Sequence, residues 1–159
     1  MCTANAAEGC GAAPDTTYRV RRLDPRTGKP RWTYKVAAGV QDVYLPSADP
    51  PVLAVAAGDT LVTDLITLDG GDGGKLATIS MGGDAYDPRC GDRYFSAGFF
   101  GDLENCDGVV VGPDQVYVTS KDRSEIDQPE NWIVAFDRTT GKPVGKLDGR
   151  PWSPSSRCG

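Results

Sequence analysis

Two stretches of this 159-residue chain set an acid, a hydroxyl and an amine at the same spacing: Asp24, Thr27, Gly28 and Lys29, then Asp137, Thr140, Gly141 and Lys142. A carboxylate and an ammonium at fixed separation are the parts of a proton-transfer or anion-binding site. A weaker third version runs Asp69-Gly70-Gly71-Asp72-Gly73-Gly74-Lys75, with Asp72 in the Thr position. Asp84, Asp87 and Asp92 are oxygen donors of the kind Ca²⁺ takes, but their spacing matches no calcium loop. The chain contains no His, so the usual general base and the triads built on it are lacking. Nothing selects a pair of carboxylates for acid–base work, and five cysteines without a Cys-x-x-Cys pair do not make a zinc site. No catalytic, cofactor-binding or metal-ligating residue is assigned, and no cofactor is expected.

Set among their neighbours, the same motifs read as turns. Asp and Thr side chains hydrogen-bond turn backbone, and Gly supplies the positive φ that a tight hairpin needs. Alternating apolar runs flank them: Tyr18 to Leu23, then Arg31 to Val36 with Trp32, Tyr34 and Val36 on one face. Val43-Tyr44-Leu45 is a short run broken by Pro46 through Pro50. Val52 to Ala57 is continuously apolar, as a strand buried on both faces would be. Residues 61–68 and 76–80 follow, giving four strands in roughly forty residues, the content of one propeller blade. Val109 to Val111 and Gln115 to Ser120 form a hairpin about Gly112-Pro113-Asp114, and Trp132 to Phe136 and Val144 to Leu147 flank the last motif. The turn aspartates 24, 69 and 137 are 45 and then 68 residues apart. A blade-sized period with an insertion at 82–108 accounts for both intervals. Residues 1–17 read as a Cys-containing loop or hairpin, 18–148 as the repeat region, and 149–159 as a connecting tail.

Five cysteines point to an oxidising compartment. Local pairs Cys90–Cys106 and Cys2–Cys10 are preferred, which leaves Cys158 over. The net charge of −5 argues against a grip on nucleic acid, and the group Arg19, Arg21, Arg22 reads as the solvated face of a strand. No run approaches the ~20 apolar residues of a membrane-spanning helix, so direct insertion by this segment is not expected. Trp32 is expected to pack between repeats. Trp132 is a candidate for partner contact, and Phe99 and Phe100, with Tyr94 and Phe95, either pack the insertion or form a recognition patch.

The pattern from Leu23 through Asp24, Thr27, Gly28 and Lys29 to Trp32 resembles the repeat of PQQ-like (quinoprotein-type) β-propellers. Phe136 to Lys142 matches it up to Gly145, which stands where Trp is expected, and Val116-Tyr117-Val118-Thr119-Ser120 resembles the family's Val-Tyr-Val-Gly-Ser strand. The arrangement over roughly residues 18–148 is most similar to actinobacterial PQQ-binding-like, BamB-like propellers. The resemblance implies an all-β partial propeller of two to three four-stranded antiparallel blades, a piece of a larger ring. In the family the hairpin joins the two outer strands of a blade and the Trp docks on its neighbour. It further implies an extracytoplasmic or cell-surface protein, commonly membrane-anchored through sequence outside this segment. The expected function is a non-catalytic binding or scaffold module for a protein partner, the remaining blades or an envelope ligand. The alternatives are a remnant of a PQQ-dependent dehydrogenase and the sensor domain of a membrane receptor or kinase.

Overall fold

Short alternating runs between tight turns favour strands over helices, and every regular element among the described residues is a β-strand. The structure is a computed structural model that describes residues 17–57, 62–81, 86–88, 90, 106–120 and 132–148. Strands β1 (Arg19–Leu23) and β2 (Pro30–Lys35) pair as a two-stranded sheet. Strands β3 (Asp42–Ala48), β4 (Pro51–Ala56), β5 (Val62–Leu68) and β6 (Lys75–Ser80) form a four-stranded meander. Strands β7 (Val109–Val111), β8 (Gln115–Thr119), β9 (Trp132–Asp137) and β10 (Pro143–Asp148) form another. All pairings are antiparallel. The three Asp turns fall at equivalent places, between β1 and β2, β5 and β6, and β9 and β10.

The sheets stack face to face. Trp32, Val36 and Val40 from the first sheet and its exit pack on Leu53, Val55, Ile66 and Leu68 of the second. The opposite face of the second sheet, with Val52, Ala54, Leu65 and Ile79, packs on Val109, Val116, Val118 and Phe136 of the third. Strand β4 is therefore buried along its whole length, as its unbroken apolar sequence predicts. Both of its faces are used, which fixes the middle sheet as the centre of the core.

One strand is longer than its sequence suggests. The sequence predicts a break at Pro46 after Val43-Tyr44-Leu45, yet β3 continues through it to Ala48. Register shifts between Tyr44 and Ser47, and β3 lies at the edge of its sheet. A proline at an irregularity in an edge strand removes no ladder hydrogen bond that the sheet requires.

The Cys90–Cys106 disulfide forms, across 16 residues of sequence. Its surroundings are tied to the third sheet: Asp87 N donates to Thr119 O (2.8 Å), and Gly108 N to Pro88 O (2.9 Å). Cys2, Cys10, Cys158, Tyr94, Phe95, Phe99 and Phe100 lie outside the described residues.

Candidate functional site

The acid-and-amine motif resolves into backbone chemistry. Asp24 Oδ1 accepts from the amides of Arg26 (2.8 Å) and Thr27 (3.1 Å). Asp137 Oδ1 accepts from those of Thr139 (3.0 Å) and Thr140 (2.7 Å). Asp69 Oδ1 does the same with Gly71 (2.7 Å) and Asp72 (3.2 Å). The fixed Asp-to-Lys spacing reflects closure of the turn, since Asp24 N donates to Lys29 O and Asp137 N to Lys142 O, both at 2.8 Å. Asp72 does the work of the missing threonine. Its Oδ1 accepts from Gly74 N at 2.7 Å, as Thr27 Oγ1 does from Lys29 N and Thr140 Oγ1 from Lys142 N. The copy that reads as degraded is physically intact.

These bonds stabilise the ionised carboxylates. Asp24 is held below the ordinary carboxylate value mainly by the Arg31 guanidinium, then by the two amides. Asp69 is lowered by the Gly71 and Asp72 amides, and Asp137 by the Thr140 amide and hydroxyl. A carboxylate committed to turn amides is poorly placed to exchange protons with a substrate.

The same turns build the contacts between sheets. Trp32 Nε1 donates to Gly70 O at 3.1 Å, and its ring lies on Gly73, where a Cβ would stand 2.6 Å from the indole. Gly73 has φ +76°, so no other residue suits both the turn and the docked ring. Arg22 Nη1 also donates to Gly70 O, at 2.8 Å. Arg22 thus faces the second sheet and is not part of the solvated strand face expected for Arg19, Arg21 and Arg22.

At the next interface the equivalent positions carry different residues. Ala77 stands at the Trp32 position and rests against Gly141. Thr67, equivalent to Arg22, donates its hydroxyl to Arg138 O at 2.7 Å, and Arg138 Nη1 donates to Leu68 O at 3.1 Å. In the third sheet the same two positions are Ala135 and Gly145. Nothing among the described residues lies within 4 Å of where a Gly145 side chain would begin.

Among the described residues nothing covers that third face. Val110, Tyr117 and Ala135 lie in one cross-strand row, and Thr119 pairs with Ile133 in the next. Val110 is 65% exposed and Ile133 37%. With Tyr117, Thr119, Asp107 and Gly108 they line a shallow groove of about 330 Å³. Period-two alternation in β7 to β9 groups these residues on one face, but the sequence reading did not select them.

Trp132 is half-buried on the opposite face, with Lys146 Nζ 4.0 Å from its ring centre. Tyr86 packs edge-on against Phe136, ring centres 5.5 Å apart. Of the acidic loop residues Asp87 is described, whereas Asp84 and Asp92 are not. Among the described residues no three His, Cys, Asp or Glu side chains converge as a metal site would require.

Four-stranded antiparallel sheets, stacked face to face with the last hairpin of each wedged against its predecessor, define a partial β-propeller. The chain is similar to the solved structure of BamB from Moraxella catarrhalis, with 17% identity and a TM-score of 0.40. The match covers 82% of this chain and 31% of that one, so this chain spans about a third of that protein's length. No protein-family model matches the chain, and no curated protein matches it. No helix among the described residues is long and apolar enough to cross a membrane.

Proposed function

We propose that the chain is a non-catalytic, extracytoplasmic binding or scaffold module of the propeller type. It docks a protein partner or an envelope ligand on the face of its third sheet that the described residues leave uncovered. The observation that carries this reading is the groove lined by Val110, Tyr117 and Ile133, on a face whose counterpart in the second sheet is covered. Exposed apolar groups with a polar rim are the usual composition of an interaction surface. The Cys90–Cys106 disulfide supports an oxidising compartment. The commitment of Asp24, Asp69 and Asp137 to turn amides supports a non-catalytic role.

A photo-reactive side chain placed at Val110 in the protein expressed in its own cells tests the docking face. Cross-links to an envelope component are expected from Val110 and not from exposed Thr78 on the second sheet. Equal adducts from both positions would contradict the reading. Adding the quinone with Ca²⁺ is expected to leave the melting midpoint unchanged; a bound chromophore or a thermal shift would overturn the non-catalytic assignment.

A further inference from the structure

Seven of the 17 Lys and Arg residues lie between Arg19 and Lys35 with Asp24 as the single acid, in a chain of net charge −5. The first sheet is a basic hairpin on an acidic protein. Arg31 is engaged by Asp24 (3.0 Å), and Arg22 turns to the second sheet, where it meets Gly70 O and Asp49. Arg26 and Lys29 lie exposed in the turn, and on the strands Arg19, Arg21 and Lys35 remain, all exposed and all on the outer face. Arg19 sits directly opposite Lys35, a like-charge cross-strand pair that destabilises a sheet by itself. Arg21 occupies the position that Ile66 fills in the second sheet and Val134 in the third, both packed in the core.

The edge of this hairpin is as distinctive as its face. Strands β5 and β9, equivalent to β1, each pair on their second edge with β4 and β8, whereas β1 pairs only with β2 among the described residues. In the register of β4 on β5, Leu53 and Val55 stand opposite Ile66 and Asp64, the counterparts of Arg21 and Arg19. Val52 and Ala54 stand opposite Thr67 and Leu65, the counterparts of Arg22 and Val20. A strand added to β1 in that register would set every second residue against a guanidinium and turn the others toward the second sheet.

We propose that β1 accepts an extended acidic segment of a partner protein as an added strand, with carboxylates opposite Arg19 and Arg21 and small apolar residues at alternate positions. Backbone pairing supplies affinity and the alternating side chains supply selectivity. Anionic lipid and nucleic acid offer the charge without a row of amides to pair with β1.

The test titrates the full chain with end-blocked peptides of about eight residues, alternating Asp–Val or Lys–Val, long enough to span a typical strand. The Asp–Val peptide is expected to bind in a salt-sensitive manner and to slow amide exchange at residues 19–23, while the Lys–Val peptide does not bind. The double substitution Arg19→Glu and Arg21→Glu is expected to weaken Asp–Val binding by roughly tenfold or more and to admit the Lys–Val peptide. Its melting midpoint should stay near wild type because both side chains are exposed. Absence of peptide binding, or binding that ignores the charge reversal, would overturn the proposal. So would β1 amides already as protected in the free chain as those of β5, or equal binding of phosphatidylglycerol vesicles or single-stranded DNA without amide protection.

Discussion

Trp32 does at the first interface what Thr67 and Arg138 do together at the second: each satisfies a turn backbone across the gap between sheets. Trp32 is 9% exposed, so Trp32→Ala is expected to cost about 3–5 kcal/mol in denaturant unfolding, from lost burial and the cavity left behind. Thr67 is fully buried and bonds both Arg138 O and Ala77 N. Replacing it with Val should cost roughly 1–3 kcal/mol, mainly by stranding those partners. The turn aspartates give a pH signature. Each folded pKa lies below the reference value of 3.8. Their contribution is therefore complete above that value and is lost as pH falls through the folded pKa. Melting midpoints should fall below about pH 4, and Asp137→Asn should lower the midpoint at neutral pH while flattening that acid decline.

At the scale of elements, the hairpins and most strands are legible in the sequence because their determinants are local. Period-two alternation marks β1, β2 and β8, and Asp with a positive-φ Gly marks the turns. The continuation of β3 through Pro46 is not legible, since it depends on β3 lying at a sheet edge. Nor is the pairing of Thr67 with Arg138, which spans 71 residues and leaves no local pattern. The Cys90–Cys106 staple closes a 16-residue separation, for which chain entropy gives about 3 kcal/mol. Reduction, or replacement of both cysteines by Ser, is expected to lower stability by about that amount. An unchanged denaturation midpoint would show that the ties at Asp87 and Gly108 hold the segment unaided.

At the scale of the whole molecule, stacking decides what each apolar row means. Val110, Tyr117 and Ile133 read in sequence like any buried strand face, and only the order of sheets shows that this face is the one left uncovered among the described residues. The Asp–Thr–Gly–Lys motif therefore reports the architecture and says little of the ligand, while the candidate binding face follows from position in the stack. A photo-reactive side chain at Val110, in the otherwise wild-type protein and beside an Ile133→Glu variant, tests directly whether that face docks a partner. Cross-links to an envelope component are expected in the first, and their loss at an unchanged melting midpoint in the variant. Cross-links that persist undiminished in the variant, or none from Val110 at all, would contradict it.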